Sequence, residues 1–323
     1  MAASTQEKIC YYGEHFCSAV VAKGPCRNRA YFALPDGALV CGVHGKGKSG
    51  SVLPSNPEAP RLAREAEGRQ AASIEAAREA NRAAGRPGVV ALAPLSMFRK
   101  PEVLPGFLAV FPNHKAGSAV TATRFCAREL SPMVLGPVEH GQPGLPPAQL
   151  LESYWQANKA FFSEVGKDGN PLPVWYERRK ELYASTTPRR HKLGASKAEH
   201  LKNSGIGAGN PNAALYSIFV DKDGTERRYS YVDSRRFYCH FYEATAGATA
   251  AFAELSRLRE AGTNLQIFDP DGCPMASDLP QPELEAFVLR EYENAARPFG
   301  HGKVLFTMLA LPSKQRPWAR FFQ

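Results

Sequence analysis

Residues 150–162 read Leu150-Leu-Glu152-Ser-Tyr-Trp155-Gln156-Ala-Asn-Lys159-Ala-Phe-Phe. At about 100° per residue, Glu152, Gln156 and Lys159 point in nearly one direction, and Leu150, Leu151, Tyr154, Phe161 and Phe162 occupy the other side. The pattern predicts an amphipathic helix over about 148–165. A carboxylate, an amide and an amine on one stripe can act together. The carboxylate moves protons, the amide orients a hydroxyl or a base, and the amine attacks or stabilises. A solvated surface helix shows the same two-sided pattern. An enzyme should bury Glu152 and Lys159, whereas a surface helix should leave them wet.

Outward from this segment, strand-like apolar runs lie at Val89–Leu92 and Phe107–Phe111. Lys167-Asp168-Gly169-Asn170 reads as a turn, and a helix is expected over Trp175–Ala184. Thr187 and Pro188 look like the N-cap and first residue of another helix. Ala214–Val220 and Thr225–Val232 read as a hairpin around Lys222-Asp223-Gly224. Helices are expected near Thr249–Ala261 and Pro282–Ala296, with a strand at Leu265–Phe268 between them. Residues 60–85 are Ala/Glu/Arg-rich and read as a connecting helix that stops at Gly85 and Pro87. The mixed order indicates an α+β (α/β-type) body rather than a bundle or a sandwich.

The N-terminal stretch has a different texture. Cys10, Cys17, Cys26, Cys41 and His44 fall within 35 residues. Zinc takes four thiolate or imidazole ligands in a tetrahedron. Cys41-Gly-Val-His44 has the form of a ligand knuckle, and Gly24-Pro25-Cys26 turns a second thiolate toward it. Cys17 is preferred as the remaining ligand, because this run resembles a small three-Cys-plus-His zinc module, with Cys10 and His15 as substitutes. Such a module caps a segment too short to form a core. The expected organisation is a zinc-binding module over 1–52, a helical linker over 53–87 and a body over 88–323.

The string Glu152-Ser-Tyr-Trp-Gln156-Ala-Asn-Lys159-Ala-Phe resembles the signature helix of the NADAR (YbiA-like) superfamily. Leu130-Ser131-Pro132-Met133 and the following Gly136-Pro137-Val138 are similar to its Leu-Ser-Asn-Phe element and strand. Thr187-Pro188-Arg-Arg-His-Lys192-Leu193-Gly194 resembles its segment ending in Leu-Gly-Arg. The likeness covers about 127–195. Pro132-Met133 stand where the family has Asn-Phe, and Ala195 where it has Arg. The C-terminal part, 201–323, carries none of the family's usual pattern. The resemblance implies an N-glycosidase acting on a ribose-phosphate, ADP-ribose or nucleotide-type substrate. Glu152 would then be the acid/base, Lys159 a nucleophile or Schiff-base former at the sugar carbon, and Gln156 the group that positions a ribose hydroxyl or water. Trp155 would wall the pocket or stack on a base.

The 323 residues carry 44% hydrophobic and 22% charged side chains, which suits a globular chain with a sizeable core. No apolar run approaches the ~18 residues of a membrane span, and the first residues lack the apolar core of a signal peptide. A soluble intracellular protein, cytoplasmic or nuclear, without a membrane partner, is expected. Seven cysteines, four of them before residue 42, suit a reducing compartment and a structural zinc ion better than a disulfide framework.

The net charge is +9, and eight Lys/Arg lie between 174 and 202, Arg189 and Arg190 among them. This run is the expected contact for a diphosphate or a nucleic-acid backbone. The alternative function is therefore a non-enzymatic, zinc-dependent nucleic-acid-binding protein. Ser234–Glu243, with alternating aromatics, reads as a buried strand bearing Cys239, His240 and Glu243. Asp269-Pro-Asp271-Gly reads as a turn rather than a Mg²⁺ site, and Pro298–Gly302 as an ordered turn.

Overall fold

The computed structural model describes residues 16–21, 24–26, 30, 32–41, 43–45, 51–52, 58–95, 101–113, 115–189 and 214–322. The chain forms two compact units, residues 1–71 and 72–323. In the first, short strands β1 (Val20–Val21) and β2 (Gly24–Pro25) pair antiparallel. Strands β3 (Phe32–Ala33), β4 (Leu39–Val40) and β5 (Ser51–Val52) form an antiparallel sheet in the order β4-β3-β5. Among the described residues its main apolar cluster is Cys17, Val40 and Cys41, with Ala19, Cys26 and Leu34 packed around them, and Ala30 and Ala59 are also buried. So little apolar area does not offset the entropy of ordering the chain.

Helix α1 (Ala59–Ala83) spans the division between the units. Exposed Arg61–Glu65 and Arg78–Glu75 pairs line its surface. It stops as the sequence predicts: Gly85 adopts φ +63°, and the Gly85 and Arg86 amides donate to the carbonyls of Arg82 and Asn81. From Ala72 onward it belongs to the second unit. There Ile74 enters the core and Asn81 donates to Gly262 O and Asn264 Oδ1, both at 2.9 Å.

The second unit continues with β6 (Val90–Pro94), β7 (Phe107–Phe111), β8 (Ser118–Val120) and β9 (Arg124–Ala127). Next come α2 (Leu151–Ala157), β10 (Lys159–Ala160), α3 (Pro173–Ala184), β11 (Tyr216–Val220) and β12 (Glu226–Tyr229). Then follow α4 (Tyr231–Gly247), α5 (Ala250–Glu260), β13 (Asn264–Asp269), β14 (Met275–Ala276), α6 (Gln281–Glu293) and α7 (His301–Ala310). The fold class is α+β.

Six strands form one sheet in the order β14-β6-β13-β7-β9-β8. β6, β13, β7 and β9 run parallel, and the edge strands β14 and β8 are antiparallel. The parallel strands are near-continuous apolar runs because both their faces are covered. Val90, Leu92, Leu108, Val110, Leu265 and Ile267 share one core with Tyr238 and Tyr242 of α4 and with Val304–Phe306 of α7. A second, antiparallel sheet has the order β10-β11-β12. No helix among the described residues is long and apolar enough to cross a membrane.

Two sequence expectations are corrected. The helix expected over 148–165 is only 151–157, because the buried Asn158 ends it. Asn158 Nδ2 donates to Tyr154 O at 2.8 Å, and its Oδ1 accepts from Arg179 Nη2 and Tyr183 Oη. Lys159 then starts a strand. The stretch 234–243 is helical, not extended. Ser230 caps α4 by accepting from the Asp233 amide at 3.1 Å, and Ser234, Arg235, Tyr238, Cys239, Tyr242 and Ala246 form a helical buried stripe. Ser230→Ala should lower stability by about 1 kcal/mol, read by denaturant titration; an unchanged midpoint would remove the cap from this explanation. The helix expected to start at Thr187–Pro188 runs into residues outside the described ones.

Candidate functional site

Helix α2 begins by satisfying its first amides externally. The Leu151 amide donates to Leu135 O at 2.8 Å and the Glu152 amide to Pro132 O at 2.9 Å. The Leu130–Met133 element thus fixes where Glu152 stands. At the other end, α3 holds the backbone. Arg178 donates to Gln156 O at 3.0 Å and to Lys159 O at 2.6 Å, and Trp175 Nε1 donates to Lys159 O at 2.8 Å. Arg178 is itself fixed by a bidentate pair with the buried Glu164.

The three polar side chains of the stripe lie together and inside. Glu152 is 4% exposed, Gln156 9% and Lys159 6%. Gln156 Nε2 donates to Glu152 Oε1 at 2.9 Å, and Lys159 Nζ donates to Gln156 Oε1 at 3.4 Å. The orientation follows from chemistry: a carboxylate calls for the amide NH₂, and an amine donor calls for the amide oxygen. Lys159 Nζ also sits 4.6 Å from the centre of the Trp155 ring, a cation–π arrangement. A solvated surface helix would show none of this.

A second wall comes from elements far off in sequence. The Tyr238 ring of α4 lies 5.2 Å from Trp155 and 6.2 Å from Tyr242. Burial, then the negative charge of Glu152, then Tyr242 and Asp269, raise the Tyr238 phenol well above its ordinary range. Asp269 ends β13 and is 1% exposed. The expected turn is present, with the Asp271 amide donating to Asp269 Oδ1 at 2.8 Å. Its Oδ2 accepts from the Gly302 amide at 2.6 Å and lies 3.1 Å from His301 Nδ1. A Cβ at position 302 would stand 2.4 Å from Asp269 Cβ, so only glycine fits there. Sequence reading missed the Asp269–His301 contact; each looked like turn chemistry, and nothing local joins residues 32 positions apart.

The other expected residues divide. Arg189 is largely exposed, 3.8 Å from Glu181. Arg190 lies outside the described residues. Arg179 is buried against Gln142 and Asn158, so Arg178 and Arg179 both face inward rather than toward an external phosphate. His240 stacks on Phe322 at 3.9 Å, and Glu243 accepts from Arg316 and Trp318. Both are packing residues. A 210 Å³ depression bordered by Leu145, Tyr176, Lys180 and Glu226 does not include Glu152, Gln156 or Lys159.

In the first unit, Cys17, Cys26, Cys41 and His44 converge, with their ligand atoms all within 4.8 Å of one another. Local hydrogen bonds bring them together. The Cys26 amide donates to Ala19 O, joining the two ends of the β1–β2 pair, and the Ser18 amide donates to Leu39 O, placing that pair beside β4. The Gly45 amide donates to Cys41 O and turns His44 back. Cys17 Sγ and Cys41 Sγ lie 3.3 and 3.5 Å from His44 Nδ1. Tetrahedral bonds of zinc length would place sulfur and nitrogen about 3.6 Å apart. The cluster can bind a metal ion. Cys10 and His15, the substitutes, lie outside the described residues.

Compared with protein-family models, with curated proteins and with solved structures, the chain matches none.

Proposed function

We propose that the second unit is an N-glycosidase that hydrolyses the bond between a base and the ribose of a ribose-phosphate, nucleotide or ADP-ribose-type substrate. The observation that carries this reading is the buried, contiguous Glu152–Gln156–Lys159 array. Ionisable groups this far from water are uncommon unless paired or used. The likeness of residues 127–195 to the NADAR superfamily points to the same chemistry.

In the proposed reaction, the amine nitrogen of Lys159 forms a bond to C1′ while the C1′–base bond breaks. The bond's electron pair leaves on the base nitrogen, which takes up a proton. Water then replaces the amine at C1′, helped by Glu152 as base. The sum is substrate plus water giving ribose phosphate and free base. Gln156 holds the acid/base group and the amine at a fixed separation, and Trp155 offers a flat face to the sugar or base.

The cluster in the first unit is assigned to zinc. Three thiolates and an imidazole are zinc's ligand set, and four protein ligands leave no open coordination position, so its role is structural. Cys17, Cys26, Cys41 and His44 would hold it.

Base or ADP-ribose release from ADP-ribosylated guanine DNA, ribosylated pyrimidine intermediates and NAD tests the reading. Wild type should act on one of them. Lys159→Ala and Glu152→Gln, checked for folding, should each lose about 10²–10⁴-fold in kcat. A wild type that releases nothing but binds nucleic acid with steep salt dependence would replace the enzyme by a binding protein.

A further inference from the structure

A thiol, a carboxylate and an amine from three elements meet on one oxygen atom. Cys273 stands in the turn between β13 and β14, Glu291 on α6 and Lys303 in the first turn of α7. Cys273 Sγ donates to Glu291 Oε2 at 3.5 Å, and Lys303 Nζ donates to the same oxygen at 3.0 Å. The amine and the thiol are also within hydrogen-bonding reach of each other. The proposed hydrolysis uses none of the three.

Stability alone does not account for the arrangement. Lys303 is 1% exposed and Glu291 9%. Apolar side chains of similar volume often replace a buried ion pair without loss. Cys273 is only half-buried, so a small oxidant reaches its sulfur, while the amine beside it is shut away from water. Burial holds the thiol above its ordinary range, Lys303 draws it down and Glu291 pushes it up. At neutral pH the sulfur therefore keeps its proton, and the carboxylate to which it donates is the base placed to remove it.

We propose that Cys273 and Lys303 form a reversible sulfur–nitrogen bridge when the protein meets a hydroperoxide. First, the sulfur attacks one peroxide oxygen, the O–O bond breaks, and the thiol proton passes through Glu291 to the departing oxygen. With hydrogen peroxide the products are a sulfenic acid on Cys273 and water; the sulfur is oxidised and the peroxide reduced. Next, the Lys303 ammonium gives one proton to the Glu291 carboxylate, and the amine nitrogen attacks the sulfur. The S–N bond forms as the S–OH bond breaks, and a second amine proton leaves with the hydroxide as water. In sum, thiol, ammonium, carboxylate and one hydrogen peroxide give the bridge, protonated Glu291 and two waters. Condensation of a sulfenic acid with a neighbouring nitrogen spares the sulfur from irreversible oxidation. Here it also removes both buried charges, and it ties the turn after β13 to α7. The proposal stands apart from the glycosidase reading, because these groups take no part in that reaction.

Peptide mapping of the full chain after hydrogen peroxide treatment tests this. The Cys273 and Lys303 peptides should be recovered joined, about 2 Da lighter than their sum through the loss of two hydrogens. Trypsin should no longer cleave after Lys303. Dithiothreitol should separate the peptides and restore both masses, since a thiolate attacks the bridging sulfur. Cys273→Ser, a near-isosteric change at a half-buried position, should fold as wild type does and give no joined peptide. Glu291→Gln keeps the shape and removes the base, so bridge formation should slow by at least about tenfold. Recovery of Cys273 only as free thiol, or as sulfinic or sulfonic acid with Lys303 still cleaved, would overturn the proposal. A bridge formed at the wild-type rate in Glu291→Gln would overturn the proton path through Glu291.

Discussion

Stripping bound metal from the 323-residue chain should unfold the first unit and leave the core of the second intact. The first unit has little else to hold it: an apolar cluster of three buried residues, two further buried alanines and strands two residues long. Structural zinc contributes about 10–16 kcal/mol of apparent binding free energy in small zinc-folded peptides, more than such a core can replace. The check is amide hydrogen exchange with and without a strong chelator. Protection over residues 17–44 should vanish, while protection in β6, β13 and β7 remains. Cys41→Ser should mimic the chelator. Persisting protection in chelator would mean that the Cys/His cluster is ordinary packing.

The second large effect is at Arg178. Arg178→Ala should destabilise the second unit by about 3–5 kcal/mol, the scale seen when one partner of a buried ion pair is removed. Glu164 is 4% exposed, and apart from Arg178 its carboxylate accepts from the Phe161 amide at 3.2 Å. Deleting the guanidinium leaves that carboxylate buried without its countercharge and also removes one donor from each of the carbonyls of Gln156 and Lys159. Urea denaturation reads the loss. Adding Glu164→Gln to the variant should recover a good part of it, since the stranded charge is then gone. A single variant within 1 kcal/mol of wild type would show that the pair is not what fixes the backbone under Lys159.

What could be read ahead of the fold follows from the range of the interactions. The Cys17/Cys26/Cys41/His44 set was legible because metal ligands are few in kind and lie at short spacings. Glu152, Gln156 and Lys159 were picked out by their i, i+4, i+7 spacing, and they lie together although the helix ends before Lys159. It does not continue: Asn158 ends it through partners on α3, which no local pattern reveals. Helix α7 escaped notice for a different reason. Lys303–Leu309 is buried on every side, so it has no polar face to mark a period. The aromatics of α4 imitated a strand while Ser230 and Asp233 carried an unread capping signal. The sheet order was out of reach, because β13 inserts between β6 and β7 from about 150 residues downstream. With it went the meeting of Asp269 with His301.

The most direct measurement is chemical trapping at Lys159. Wild-type protein is mixed with a base-bearing ribose-phosphate substrate and quenched with borohydride; when the sugar ring of the Lys159–C1′ adduct opens, its C1′–O bond breaking as a carbon–nitrogen double bond forms, the reagent reduces that double bond to a stable amine. Peptide mass spectrometry should then find one ribose-phosphate adduct per chain, on Lys159, and none in Lys159→Ala. Turnover of the same substrate without any adduct, undiminished in Lys159→Ala, would contradict the role of this lysine and the site built around it.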